Sequence, residues 1–361
     1  MRVRPLVRAV AVLAALAAVT LGLSAPAQAA TADRWGFAYV NDPTVAVWTN
    51  LDPAHQAGTW AAGTVQGGKI APGRFLVKFP GIGLGSRGNV HVTPVNRDGS
   101  YCAILRWYSS GADEIVDVQC HRVGGANADT RFTVLWTVSS GVLPPGSTGS
   151  YASVQYGTTG IVQAYNSTGF GVVVAPGGIG FYLVRFPMVG TPGQLSGNVQ
   201  VTAVQPNGMP RRCKVAKFDF TGSDALAYVA CFDQLGNPVN SEFTASYHRE
   251  RSVIASFGPP KYIGYLFSAG GGQTNFNYPA GGFGFNSVVS PAVGRYLIKY
   301  PRLGFDFTHA QVTGYGNGSN YCHLTDLWIT PWPDAQVDVL CFDNAGVPKP
   351  HAFLTTFTNK G

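Results

Sequence analysis

Three near copies of one strand-and-cysteine pattern fill the chain after residue 30, and this restricts the available folds more than any other feature. Residues Gly73 to Pro80 (Gly-Arg-Phe-Leu-Val-Lys-Phe-Pro) match Gly180 to Pro187 and Gly294 to Pro301. Each segment reads as one strand of alternating side chains closed by a proline, which cannot donate to a sheet ladder. A second strand follows in each copy, at Asn89 to Thr93, Asn198 to Thr202 and His309 to Thr313. Turn dipeptides come next, Asp98-Gly99, Asn207-Gly208 and Asn317-Gly318, whose tolerance of positive φ suits tight hairpins.

The cysteines keep step with this pattern, as Cys102 and Cys120, Cys213 and Cys231, Cys322 and Cys341. Six cysteines allow about fifteen pairings. An identical pair in every copy, separated by 18, 18 and 19 positions, selects one of them. The midpoint of each pair is turn-like: Ser110-Gly111-Ala112, Thr221-Gly222-Ser223 and Pro331-Trp332-Pro333. If each is a hairpin tip, its cysteines face each other on adjacent antiparallel strands, where a disulfide forms if the Cα atoms are close enough. Closing such a loop is worth about 3 kcal/mol in the chain-entropy model.

The expected organisation is a signal peptide over 1–30 and three β repeats over 31–140, 150–250 and 260–361, each large enough to fold alone. Arg2, Arg4 and Arg8 precede an apolar run from Ala9 to Leu23 that ends in small residues, the layout of a Sec-type secretory signal. The expected location is therefore extracellular, with no transmembrane segment in the mature chain. Short strands broken by turns every eight to twelve residues point to an all-β fold. Three tandem antiparallel β-sandwich or jelly-roll-like modules are expected, each with one internal disulfide. The connectors, Ser139 to Gly146 and Ser256 to Pro260, have the composition of short semi-rigid linkers.

The matched strands, the paired cysteines and the turns from Cys231-Phe232-Asp233 to Pro238 and from Cys341-Phe342-Asp343 to Pro348 resemble secreted tandem-repeat β proteins of actinobacteria. That group has no established activity, so the resemblance implies export and tandem architecture and carries over no functional residue. The first copy departs from the pattern at His121-Arg122, which puts that turn in question.

Little chemistry stands out. The formal charge of +7 includes three leader arginines, and without them 22 basic residues face 18 acidic ones, too mild an excess to indicate nucleic acid. The seven histidines are scattered without metal-ligand spacing and read as surface or strand-edge residues, so neither a metal nor a cofactor is expected. No nucleophile-elbow pattern occurs, and no catalytic residue is assigned. Asp113, Asp224 and Asp334 recur near the hairpin tips and read as turn caps, whereas Lys78, Arg185 and Lys299 read as a solvated strand face.

Exposed aromatics are the best functional material, because their rings stack on sugar faces or anchor partners. Trp332 lies between two prolines, and Trp48 and Trp60 flank a loop that no other copy repeats; these three are the candidate contact residues. The favoured expectation is a secreted, non-catalytic, multivalent binding or adhesion protein for extracellular or cell-envelope polysaccharide. A structural protein of the matrix or cell surface is the alternative, and a hydrolase with a site between repeats ranks third.

Overall fold

The computed structural model describes residues 33–143, 147–254 and 262–360, so the predicted signal peptide, part of the first connector and the whole of the second lie outside the described residues. The first module contains β1 (Arg34–Val40), β2 (Thr49–Asn50), β3 (Gln56–Gly58), β4 (Gln66–Ala71), β5 (Arg74–Phe79), β6 (Asn89–Val95), β7 (Tyr101–Ser110), β8 (Asp113–His121) and β9 (Arg131–Val138). The second has β10 (Ser150–Gly157), β11 (Gly160–Asn166), β12 (Val173–Gly178), β13 (Phe181–Phe186), β14 (Asn198–Val204), β15 (Arg211–Thr221), β16 (Asp224–Asp233) and β17 (Glu242–Arg249). The third has β18 (Ile263–Phe267), β19 (Asn275–Asn277), β20 (Gly282–Phe283), β21 (Ser287–Ala292), β22 (Arg295–Tyr300), β23 (Thr308–Tyr315), β24 (Tyr321–Leu324), β25 (Ala335–Phe342) and β26 (Ala352–Asn359). Two single turns of 3-10 helix, Pro53–His55 and Gly272–Thr274, are the helical elements among the described residues.

Each module is a two-layer sandwich of antiparallel strands, and the disulfides are those predicted. Cys102–Cys120, Cys213–Cys231 and Cys322–Cys341 join directly opposed residues of neighbouring strands, with Cα separations of 4.0, 4.1 and 4.0 Å. Opposed pairs that exchange no backbone hydrogen bonds lie about this close, which is why a disulfide spans them. The tip aspartates cap turns as expected. Asp113 accepts from the amide of Gly81, Asp224 from Met188 and Asp334 from Arg302, each amide following the strand-closing proline. Gly81 has φ 65° there, and Met188 and Arg302 take the same left-handed conformation at 59° and 58°, held by the aspartate bond. The aspartates also answer the basic strand positions: Arg185 pairs with Asp224 and Lys299 with Asp334, at 2.5 and 2.7 Å, so that face is ion-paired as well as solvated. The turn in question at His121-Arg122 keeps the pattern, with Arg122 and Ala126 hydrogen-bonded as Asp233 and Asn237 are.

The modules are not beads on linkers. Residues 32–361 form one compact unit. Each of its three sheets has eight or nine strands and draws four of them from one module and four or five from another. The halves meet at a parallel junction, β14 beside β7 (Val204 with Ile104), β23 beside β15 (Val215 with Tyr315) and β6 beside β24 (Leu324 with Val95). Each module is thus joined to both others, and the three close into a ring.

Around its axis lie β6, β14 and β23, and a cyclic set of hydrogen bonds ties them together. The Thr202 hydroxyl accepts from the Val92 amide, Thr313 from Val201 and Thr93 from Val312, at 3.3, 3.1 and 3.3 Å. His91, His248 and His309 are also buried here, bonding to Ser246, Thr356 and Thr133 of neighbouring modules at 2.8, 3.1 and 2.8 Å. This corrects the surface reading of the histidines: His121 and His323 are buried too. The alternation of polar and apolar residues along these strands does mark two faces, but the polar face meets other modules rather than water.

Glu114, opposite Phe79 on β8, is fully buried, while Ala225 and Ala335 fill the equivalent positions. Its Oε2 accepts from the Leu84 amide and the Ser109 hydroxyl, and no cation pairs with it among the described residues. Burial raises its pKa from 4.5 to about 7. The folded state holds this proton more tightly than the unfolded chain, so the contribution of Glu114 to stability is greatest below pH 4.5 and is lost as pH rises through 7. E114Q keeps the acceptor and removes the titration. Its advantage over wild type in urea unfolding is expected to grow by about 2–3 kcal/mol between pH 5 and pH 8; a constant difference would contradict the buried acid.

Candidate ligand-binding surface

The three candidate tryptophans occupy separate places. Trp332 is 75% exposed at the β24–β25 tip, with Phe305 edge-on at 5.6 Å and Tyr262 4.7 Å beyond that ring. Trp48 is 40% exposed, and the Lys78 ammonium covers one face of its ring at 5.0 Å. Trp60 is half-buried against Phe79, over Gly58, where any Cβ would fall 1.9 Å from the indole; glycine is what lets the ring lie down there. No ring contact joins the three among the described residues. Trp136, Trp107 and Trp328 are core residues.

Ring closure brings together sites that no single copy contains. Where strand ends of one module meet the outer strands and loops of another, a groove opens at each of the three seams. Between the first and second modules it measures about 340 Å³, with Arg87, Asn89, Gln155 and Tyr165 on its walls. Between the second and third it is about 390 Å³, with Glu250, Phe276, Tyr278 and Phe283. Between the third and first it is about 280 Å³, with Trp60, Phe307 and Lys360. The strand registers place Arg87 and Phe307 at matching positions, and Glu250 and Lys360 likewise, so the grooves are related by the ring's pseudo-symmetry. The first groove is largely satisfied internally: Gln163 bonds across it to Gly88, Ser86 and Gln155, and the Tyr165 hydroxyl donates to Ser140 and Gly141 of the connector. The other two present open rings. Tyr278, Phe283 and Phe307 are 42%, 38% and 37% exposed, and the Lys360 ammonium sits 4.5 Å from the Phe307 ring centre. Sequence reasoning found Trp60 in these grooves and missed the rest, which lie in modules far apart along the chain.

A larger cleft of about 840 Å³ lies at the mouth of the second sandwich, where Tyr156 and Tyr182 meet Arg211, Asn240 and Glu242. The Tyr182 hydroxyl accepts from the Ser241 amide at 3.1 Å, and burial raises the Glu242 carboxyl above its usual range. The cleft exists because β10 turns straight back at Gly157–Gly160. In the first module the equivalent strand runs into a loop that bridges Ala46 to Lys69, the position matching Pro176 of the cleft wall. Among the described residues no group of three or more histidine, cysteine, aspartate or glutamate side chains is placed to hold a metal ion, and no helix is long and apolar enough to cross a membrane. No protein-family model, curated protein or solved structure matches the chain.

Proposed function

We propose that the chain is a secreted, non-catalytic binding protein that holds extracellular or cell-envelope polysaccharide at several points on one rigid ring. One observation supports this above the others: a groove of sugar-ring scale recurs at every seam, and two of the three carry exposed aromatic rings beside a charged side chain. Sugar faces stack on such rings while their hydroxyls bond to flanking polar groups. The three disulfides fit the oxidising compartment that export through a signal peptide would provide. Because the modules share sheets, the spacing between sites is fixed, and avidity would come from matching that spacing rather than from linker reach.

A glycan array and pull-down on insoluble polysaccharide test the proposal. F307A combined with F283A is expected to weaken surface binding by about 10-fold or more, since each change removes one site and the two losses multiply through avidity. Silence across plant, fungal and bacterial glycans, or binding untouched in a variant of wild-type melting temperature, would remove the glycan reading. A matrix or surface structural protein remains the second reading, favoured by exposed Val162, Val173 and Val289 on the sheet-edge strands β11, β12 and β21. Reversible assembly at micromolar concentration without sugar would select it.

A further inference from the structure

At the disulfide end of the ring, the axis opens into a small chamber of about 60 Å³. Residues from all three modules line it at matching positions: Tyr101, Arg212 and Tyr321 stand just before the first cysteine of each pair, and Lys214 and His323 just after. Two of the three modules thus contribute a tyrosine where the second contributes a guanidinium, and that guanidinium lies against both tyrosine rings, at 4.7 and 4.2 Å.

Arg212 and Lys214 are 7% and 3% exposed, yet neither forms an ion pair with a carboxylate among the described residues. Arg212 donates through Nη2 to the Asn344 side chain and, at 3.5 Å, to the Asp233 carbonyl, while its buried Nε has no partner among the described residues. Lys214 donates to the Asn320 carbonyl and to His351 Nε2, both at 2.8 Å, so its hydrogen-bond partners are neutral. Asp233 is the acid nearest Arg212 in sequence register, and its carboxylate is taken up by the amides of Leu235 and Asn237. Buried cations are ordinarily paired, because burial without a counter-charge disfavours the charged form. Accordingly, burial and then the charge of Arg212 push the Lys214 ammonium down to about 7. One water needs about 10–15 Å³, so the chamber has room for a larger guest.

We infer that this axial chamber is a binding site for a small inorganic anion, a halide or a tetrahedral oxyanion, held between Arg212 and Lys214. The anion supplies the missing counter-charge, accepts from the free Arg212 N–H, and ties the three modules together at the one end of the axis where their side chains converge without neutralising one another.

Thermal melts at constant ionic strength test this, with gluconate, an anion too large for the chamber, replaced stepwise by bromide, phosphate or sulfate. Wild type is expected to gain several degrees by 100-fold excess over the dissociation constant, since binding to the folded state alone is worth about 2.7 kcal/mol there. K214M, expected to fold because Ala103 and His323 already occupy the matching positions, is expected to show no gain. A response to bromide alone assigns a halide and a response to the oxyanions alone assigns a tetrahedral guest, and either supports the site. Bromide-soaked crystals give a second readout, an anomalous peak beside Arg212 and Lys214. Equal melting in gluconate and in every small anion, together with no peak in the chamber, overturns the inference.

Discussion

Lowering the pH from 6.5 toward 4 is expected to unfold this protein, and the axial histidines are the main reason. Burial holds His91, His248 and His309 at about 3, far below the 6.5 of an exposed imidazole. The unfolded chain therefore binds more protons at these groups than the folded one throughout this window, and their contribution to stability is complete above pH 6.5 and lost as pH falls. Each group contributes about 1.4 kcal/mol per pH unit, so the trio gives about 4 kcal/mol per unit. His323 and His351, lowered to about 4, add to the slope, and Glu114 offsets one proton of it. Against a typical stability of about 5–15 kcal/mol, a fall of this size places half-unfolding between about pH 4 and 5. Urea unfolding from pH 7.5 to 4.5 checks it. H91Q is the informative variant, because Gln200 and Gln311 stand at the matching positions of the other copies. It is expected to reduce the slope by about 1.4 kcal/mol per unit whatever it does to stability at pH 7. Undiminished stability at pH 4, or an unchanged slope in H91Q, would mean that the imidazoles are not held neutral by burial.

The same histidines show where the sequence could be read and where it could not. The repeat, the disulfide pairs, the tip aspartates and the strand-closing prolines are local features, and local spacing reveals them. Trp332 is exposed where a Pro-Trp-Pro tip says it should be. Along Asn89, His91 and Thr93, however, period-two alternation distinguishes only one face from the other. A polar face satisfied by Thr202 and Ser246 of another module has the same local pattern as one satisfied by water. The seam grooves are hidden for a related reason: Trp60 and Phe307 share a wall only because the third module closes onto the first. No spacing within one copy encodes that closure. Nor could the second module's cleft be anticipated, since it depends on a turn at Gly157–Gly160 that is shorter than the loop it replaces.

Closure also argues against the expectation that each repeat folds alone. The core of the first module includes Val204 of the second. That of the second includes Phe267 and Leu354 of the third, and that of the third includes Tyr39 and Val95 of the first. The larger of these buried side chains, Phe267 and Leu354, are each worth about 2–5 kcal/mol when truncated, and removing a whole module strips several at once while exposing the edge of a half-sheet. It also leaves the axial threonines and histidines without the partners that make their burial tolerable. Ending the chain at residue 254 is therefore expected to abolish cooperative unfolding and to leave residues 147–254 open to limited proteolysis. Within the intact chain, L354A tests the same coupling by a single change. It lies in the third module, yet it is expected to cost about 2–5 kcal/mol and to raise amide exchange in the second module's core strands. An isolated second module that melts cooperatively as a monomer, near the temperature of the full chain, would show that the ring is an assembly of independent domains and that the shared cores are incidental.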